Sequence, residues 1–281
     1  IVHRSMEESS ATERFKETLT ITFLGFGNKG VTEFCNELTK EIEKHSKIKR
    51  LKLRRNMHAA WHGHGFLQPR PMESVFTNDG IKDKLLEDIQ SFENREEEYR
   101  LKGMPYHLGI MLKGPPGTGK TSLIHALASA LDRDIMFLNL SGVENEAELM
   151  ELIGARRDWQ KSLLVIEDID AVKANVARDS DSEGISLSTL LNVLDGFLTP
   201  HGLITLATTN RPEKLDPALV RSGRFDISVE IGPLEWTEAE RMANLLLGEN
   251  NQFGSFKDRY VPKVGAELRE AMISNRLSDL L

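Results

Sequence analysis

The octet GPPGTGKT at residues 114–121 constrains the fold of this chain more than any other feature. It matches the pattern G-x-x-x-x-G-K-[ST] and lies between an apolar run at 109–112 and a helical stripe of Leu123, Leu127 and Leu131. A strand–loop–helix unit of this kind wraps phosphates with backbone N–H groups, and the positive end of the helix points at the same place. The octet therefore predicts a P-loop fold with a nucleotide-binding site.

Each part of this loop has a predicted role. Gly117 and Gly119 let the backbone wrap the phosphates, Lys120 reaches the outer phosphates, and Thr121 offers its hydroxyl to Mg²⁺. The alternative is a glycine-rich turn with a chance lysine, which we discount because the motif and its context agree. ATP and Mg²⁺ are therefore the predicted cofactors, and the predicted nucleotide-binding residues are Gly114, Pro115, Pro116, Gly117, Thr118, Gly119, Lys120, Thr121 and Ser122.

Apolar runs and helical stripes alternate after Gly80. The runs have the length of strands buried on both faces, and they occupy residues 109–112, 135–140, 163–166, 203–207 and 227–231. Strands that alternate with helices form a parallel sheet between two helical layers, with ligands at the carboxyl ends of the strands. We therefore predict an α/β fold with a three-layer core at 71–232. No further apolar run of strand length follows, so residues 233–281 are predicted to form a small helical lid. Met242, Leu245 and Leu246 form the apolar face of one of its helices and are predicted to pack within the lid.

The region before the core predicts a smaller α+β domain at residues 1–70. Its elements are a strand at 19–25, an amphipathic helix at 31–44 and a second strand at 48–55 that alternates apolar and basic residues. The glycine- and proline-containing stretch at 63–71 marks the boundary with the core.

Acidic residues follow the third strand of the core. The run 163–166 ends in Glu167 and Asp168, at the sheet edge that faces the P-loop. One carboxylate is expected to hold the magnesium shell and the next to orient the attacking water. Acidic residues after a strand are often only a solvated turn, but their pairing with a P-loop favours the functional interpretation.

Four segments together resemble the AAA ATPase family: GPPGTGKT, LLVIEDIDA, LLNVLDGF and LATTNRPEKLDPALVRSGRFD. The resemblance covers residues from about 80 to 281 and implies an ATP hydrolase. Most members have Asp before Glu in the acidic pair, so the order is inverted here and the catalytic carboxylate is one methylene shorter. By position, the resemblance implies metal ligands Thr121 and Glu167, the catalytic acid Asp168, the γ-phosphate sensor Asn210, and the arginine fingers Arg221 and Arg224.

The implied arginine fingers have a consequence for assembly. An arginine from a neighbouring subunit stabilises charge on the transferred phosphoryl group and accelerates hydrolysis by ~10³-fold or more. The resemblance therefore implies a homo-oligomeric ring of six or seven subunits, in which a lone subunit is nearly idle. The alternative is that Arg221 and Arg224 only pair with local acids such as Asp226, and the sequence match around them favours the fingers.

Within this family, the chain resembles the Bcs-type group, named for the mitochondrial chaperone that delivers the Rieske iron–sulfur protein. Residues 70–120 are similar to that group in order and spacing, the inverted pair Glu167–Asp168 matches, and the N-terminal domain up to about Trp61 matches more loosely. This implies ATP-driven translocation or remodelling of a protein client. Residues 140–152 contain no aromatic residue to grip a threaded chain, a lack that the group shares, which argues against threading.

Composition narrows the partners and the compartment. The formal net charge of −7 gives no general attraction to nucleic-acid backbones. Cys35 is the only cysteine, which excludes an intramolecular disulfide and fits a reducing compartment. We expect a cytoplasmic location or, for a true mitochondrial Bcs relative, the inner membrane facing the matrix. No apolar run approaches the ~18 residues of a membrane span, so membrane attachment would need a segment before Ile1.

Two alternatives belong to other functional classes. A nucleotide-gated DNA-processing ATPase would share this core, because clamp loaders and initiators are built on it. A slow switch or scaffold would bind ATP and seldom cleave it. A metal site at His58, His62 and His64 is a separate hypothesis, although a turn with solvated histidines is favoured because no further ligand completes the site.

Overall fold

The computed structural model falls into two units, Ile1–Lys49 and Arg50–Leu281. Their described residues are 2–9, 14–21, 37, 50–154, 158–171, 187–196, 199–221, 223–249, 251–274 and 276. In the first unit, strands β1 (Val2–Ser9) and β2 (Arg14–Ile21) form an antiparallel hairpin. The predicted strand at 19–25 overlaps the end of β2. The predicted helix at 31–44 lies outside the described residues apart from Glu37, which is helical.

The described part of the second unit is built on a seven-stranded sheet in the order β4-β3-β6-β7-β8-β5-β9. All neighbouring strands are parallel except the hairpin pair β3 and β4. The predicted α/β fold and its five parallel core strands are confirmed. The strands are β3 (Leu51–Met57), β4 (Ala60–Leu67), β5 (His107–Lys113), β6 (Asp134–Phe137), β7 (Ser162–Ile166), β8 (Leu203–Thr209) and β9 (Ile227–Glu230).

The first strand of this sheet corrects the predicted domain boundary. β3 pairs in parallel with β6, with Leu53 opposite Ile135, and Leu51 lies in the hydrophobic core. The hairpin therefore belongs to the second unit, and the division falls between Lys49 and Arg50 rather than near residue 70. The alternating pattern predicted a half-buried strand correctly, but alternation carries no information about which sheet a strand joins.

Helices cover both faces of the sheet. On one face, α1 and α3 pack against Ile110 and Leu112 of β5, and on the other, α4 and α5 pack around Met111 and Leu164. Successive residues of β5 thus enter opposite cores, as a strand buried on both faces requires. The predicted three layers are confirmed. The helices are α1 (Ile81–Glu93), α2 (Glu96–Lys102), α3 (Lys120–Leu131), α4 (Glu146–Gly154), α5 (Leu187–Leu194), α6 (Trp236–Leu247) and α7 (Gly265–Ile273).

The segment predicted as a lid has a small core of its own. Trp236 at the start of α6 stacks on Phe253, with ring centroids 5.1 Å apart, and Leu268 of α7 is fully buried in the same cluster. Phe76, which precedes α1, joins this cluster and so connects the lid to the main unit. Among the helices that the structure describes, none is both long and apolar enough to cross a membrane.

Candidate nucleotide-binding site

The P-loop connects β5 to α3, and its glycines have conformations that other residues avoid. Gly114, Gly117 and Gly119 have φ values of 144°, 81° and 96°. A Cβ at Gly114 would lie 2.1 Å from the carbonyl oxygen of Ile231, so no side chain fits there. The loop therefore depends on glycine both for its backbone angles and for its close approach to the strand beside it.

A cavity of about 520 Å³ opens in front of this loop. It is bounded by the carboxyl ends of β7 and β8, by the segment before α1, and by α6 and α7 of the lid. This is the position at which open α/β sheets bind ligands. The sequence-predicted residues that line it are Pro116, Gly117, Thr118, Gly119, Lys120, Thr121, Ser122, Glu167, Asp168 and Asn210. Gly114 and Pro115, also predicted, begin the loop but are not among the described residues that line the cavity.

Lys120 lies at the base of the cavity and is only 7% exposed. Its Nζ donates hydrogen bonds to the carbonyl oxygens of Gly114 at 2.7 Å and Pro115 at 2.8 Å. Burial lowers the pKa of Lys120, while the negative charges of nearby carboxylates, led by Asp168, oppose that effect. The loop thus holds a buried ammonium group where an anionic ligand can exchange places with the two carbonyls.

Thr121 and Glu167 form a pair of oxygen donors at the mouth of the loop. The Thr121 hydroxyl donates a hydrogen bond to Oε1 of Glu167, across the gap between the start of α3 and the end of β7. Mg²⁺ prefers hydroxyl, carboxylate and phosphate oxygens and usually takes only one or two of them from the protein. These two side chains therefore fit a magnesium ion that also contacts a bound nucleotide.

Asp168 adopts a backbone conformation that is uncommon for a residue with a side chain, with φ of 50°. Its N–H donates to Oγ1 of Thr208 at 3.1 Å, and its carboxylate accepts a 2.8 Å hydrogen bond from Nδ2 of Asn210. Asp170 is instead engaged by the Thr209 hydroxyl at 2.7 Å. The neighbouring strands β7 and β8 thus bring Asp168 and Asn210 together at the cavity and direct Asp170 to a structural contact.

The two arginines of the implied finger motif have different surroundings. Neither lines the cavity of its own subunit among the described residues. Arg221 is exposed, and its side chain has no hydrogen bond or ion pair within the part of the chain that the structure describes. Arg224 is 22% exposed, donates to the Ala218 carbonyl at 2.8 Å and lies 3.7 Å from a carboxylate oxygen of Asp195. Asp226, the partner suggested as an alternative, instead accepts from the backbone N–H of Gly223.

Sequence reasoning missed part of the cavity wall and misassigned another part. Arg70 and Arg269 line the cavity although they lie 199 positions apart, and no motif connects them. Leu245 and Leu246 were predicted to pack within the lid, but they are 58% and 40% exposed and line the cavity instead. The apolar stripe of α6 is real, but only its Met242 end is buried. A stripe shows that a helix has an apolar face without showing whether a protein core or a ligand covers it.

The three histidines of the β3–β4 hairpin are all exposed. His58 lies in the turn of the hairpin and has a φ of 52°. A nitrogen of its ring and one carboxylate oxygen each of Glu144 and Glu148 lie within 4.8 Å of one another. Within the described part of the chain, the structure does not group His62 or His64 with them. Ordinary solvation accounts for such exposed groups.

Comparison with known proteins agrees with this site. Residues 110–233 match the family model described as "ATPase family associated with various cellular activities (AAA)". The chain is 32% identical over 258 residues to "Probable mitochondrial chaperone BCS1-B" from Dictyostelium discoideum, covering 80% of this chain and 56% of that protein. It is 33% identical over 230 residues to "Mitochondrial chaperone BCS1" from Homo sapiens, covering 77% and 53%.

A third relative, "Probable mitochondrial chaperone BCS1-A" from Dictyostelium discoideum, is 38% identical over 182 residues, covering 62% of this chain and 43% of that protein. The chain thus spans about half the length of the curated relatives it matches. The P-loop, the inverted acidic pair and these relatives agree on one assignment. This chain belongs to the Bcs-type group of the AAA ATPases.

Proposed function

We propose that this chain hydrolyses ATP with Mg²⁺ as one subunit of a homo-oligomeric ring of six or seven copies, and that the ring uses the cycle to translocate or remodel a protein client. The observation that carries this proposal is the arrangement of Lys120, Thr121, Glu167, Asp168 and Asn210 around one cavity. These are the groups that phosphoryl transfer needs for positioning and charge stabilisation.

The proposed roles follow from these positions. Lys120 leaves its two loop carbonyls and binds the outer phosphates, while Thr121 and Glu167 hold the magnesium ion. The ion, when bound, neutralises charge on the phosphate oxygens. Asp168 orients the attacking water, and Asn210, already bonded to Asp168, holds its carboxylate beside the γ-phosphate. The groups are preorganised by the sheet, which is the main requirement for this type of catalysis.

The two finger arginines do not reach this cavity within a single subunit. The described residues that line the cavity include neither Arg221 nor Arg224, and the exposed Arg221 side chain is available to a neighbour. An arginine supplied in trans accounts for both facts. The test is hydrolysis measured against subunit concentration, with assembly followed by mass photometry. Activity per subunit that stays constant from monomer to assembled ring would contradict the ring proposal.

The client is proposed to remain folded. In the segment at 140–152, the exposed side chains are polar or small. They are Ser141, Glu144, Asn145, Glu146, Ala147 and Glu151. The apolar Val143, Leu149 and Leu152 are buried in the core. A segment whose exposed side chains are polar or small gives little grip on an extended polypeptide, which supports transport or remodelling over threading. The relatives named as chaperones are consistent with a protein client.

We also propose a reducing compartment, either the cytoplasm or the matrix side of the inner mitochondrial membrane. The single cysteine and the mitochondrial names of the relatives support this. Subcellular fractionation with protease protection, performed on the natural full-length protein, would test it. Recovery in an oxidising compartment would contradict the proposal.

A further inference from the structure

Two arginines from distant parts of the chain line the nucleotide cavity and belong to no sequence motif. Arg70 lies in the segment before α1, whereas Arg269 lies on α7 of the lid. The P-loop already supplies its own cation, Lys120. Two additional guanidinium groups in the same cavity therefore need a separate explanation.

The Arg70 guanidinium has no carboxylate partner among the described residues. Its Nε is buried and has no hydrogen-bond partner among the described residues, and its Nη2 makes only a 3.4 Å contact with the Ser74 carbonyl oxygen. Burial lowers the pKa of Arg70, and the positive charge of Arg269 lowers it further. The Arg269 side chain likewise has no ion pair within the described part of the chain. An unpaired buried donor next to a second cation is unfavourable until an anion binds.

The segment that carries Arg70 packs beside α3, the helix that follows the P-loop. The Arg70 N–H donates to Oγ of Ser129 at 2.8 Å, and the Gln68 carbonyl lies 2.9 Å from Nε2 of His125. His125 and Ser129 share one helical face with Ser122, which lines the cavity at the start of the helix. The P-loop backbone holds the α- and β-phosphates, and Lys120 reaches the β- and γ-phosphates. Arg70 therefore lies on the Ser122 face of α3 and in the cavity wall. Because Lys120 serves the outer phosphates, the α-phosphate is the group left for a further cation.

Arg269 lines the cavity from the lid. The N–H of Ala266, at the start of α7, donates to the Gly117 carbonyl at 3.0 Å, so this helix begins directly on the P-loop. Arg269 is three residues further along, a rise of ~4.5 Å, which keeps its long side chain over the cavity. The apolar Val75, Phe76 and Leu245 line the remaining wall and suit a nucleobase.

We propose that Arg70 and Arg269 together bind the α-phosphate of the nucleotide and thereby tie the lid to the core. They would act on every nucleotide that carries an α-phosphate, AMP included, whereas Lys120 acts on the outer phosphates. The inference rests on the nucleotide site proposed above but not on hydrolysis, ring formation or a client. Its test therefore measures binding alone.

The test is calorimetric titration of the full chain with ADP, AMP and adenosine, comparing the parent with Arg70→Ala and Arg269→Ala. Hydrogen bonds to charged groups lead us to expect each variant to weaken ADP and AMP by a similar factor, about tenfold or more. Adenosine, which has no phosphate, should bind unchanged. Arg269→Lys should recover only part of the affinity, because an ammonium cannot bind phosphate in a bidentate manner.

Controls separate this role from structural effects. Arg276→Ala removes an exposed arginine that pairs with Glu270 at 3.2 Å, and it should leave all three affinities unchanged. Lys120→Ala should weaken ADP more than AMP. If Arg70→Ala unfolds, the exposed Arg269 still tests the proposal. Unchanged ADP affinity in Arg269→Ala, or an equal loss for adenosine, would overturn it. Failure of the parent chain to bind any nucleotide would instead reject the underlying site.

Discussion

The Asn210 side-chain amide donates a 2.8 Å hydrogen bond to the carboxylate of Asp168. The two residues follow different strands, 42 positions apart, and meet because β7 and β8 are neighbours in a parallel sheet. This bond fixes the rotamer of the acid that is proposed to orient the attacking water. It also connects the acid to the residue proposed to sense the γ-phosphate, so occupancy of the cavity by ATP can act directly on the catalytic carboxylate.

Lys120→Ala and Asp168→Asn should fail in different ways. The first removes the buried ammonium at the P-loop and should abolish tight nucleotide binding, whereas the second preserves shape and should retain binding. Loss of the carboxylate should slow hydrolysis by roughly 10²-fold or more. Titration with ATP, followed by single-turnover hydrolysis in the assembled protein, separates the two effects. Hydrolysis by Asp168→Asn at the parent rate would refute the assignment of the catalytic acid.

The finger arginines should differ in their effect on stability. Arg221→Ala should bind ATP normally, hydrolyse it poorly and unfold at the parent temperature, because the side chain is exposed and unpaired among the described residues. Arg224→Ala should also lose stability by about 1 kcal/mol, since it removes the hydrogen bond to the Ala218 carbonyl. Thermal unfolding and single-turnover hydrolysis measure the two properties. Equal unfolding temperatures for the two variants would contradict this distinction.

Mixed assemblies test whether the arginines act between subunits. Subunits carrying Arg221→Ala retain their acid, and subunits carrying Asp168→Asn retain their finger, so some interfaces of a mixed ring combine one intact copy of each. Hydrolysis should partly recover on mixing. Native mass spectrometry confirms that mixing has occurred. Mixed rings that are no more active than the separate variants would indicate arginines that act in cis or only structurally.

A folded client should survive the cycle. A hyperstable fluorescent domain fused to a verified client should keep its fluorescence during ATP hydrolysis, because the exposed side chains at 140–152 are polar or small. A threading unfoldase with a known substrate serves as the positive control. ATP-dependent loss of fluorescence with this protein would place it among the unfoldases.

The position of the hairpin predicts how the chain tolerates truncation. Removing residues 1–49 should leave a folded nucleotide-binding unit, since the sheet begins at β3. Removing residues 1–70 should destabilise it, because the edge of β6 becomes unpaired and the 2.8 Å hydrogen bond from Trp61 Nε1 to the Leu152 carbonyl is lost. Thermal unfolding and light scattering of the two truncations provide the comparison. Equal stability of both would restore the boundary near residue 70.

His107 at the start of β5 should make stability sensitive to acid. Burial lowers the pKa of His107, and the charges of Asp226 and Asp195 only partly oppose this. The unfolded chain therefore binds a proton more readily than the folded one, so the free energy of unfolding falls as the pH decreases through about 6.5. Urea unfolding of the parent and of His107→Gln at pH 7.5 and pH 5.5 tests this. An equally steep decrease in the variant would assign the pH dependence to other groups.

Local patterns in the sequence determined the architecture and the centre of the site. A strand buried on both faces must be a short apolar run, and a phosphate loop must have glycines followed by Lys120, so both can be recognised without partners. The acidic pair Glu167–Asp168 follows its strand directly, and parallel strands all end at one sheet edge. The five core strands and the cavity-lining acids were accordingly predictable.

Only the tertiary structure decided which elements meet. The alternating strand at 51–57 could have joined any sheet, and its pairing with β6 depends on contacts across more than 80 positions. Arg70 and Arg269 have no shared motif and meet only because the lid closes over the segment before α1. Leu245 lines the cavity, whereas Phe253 and Leu268 fill the small lid core. Burial and charge pairing depend on what lies opposite a side chain in space, and periodicity along the chain does not contain that information.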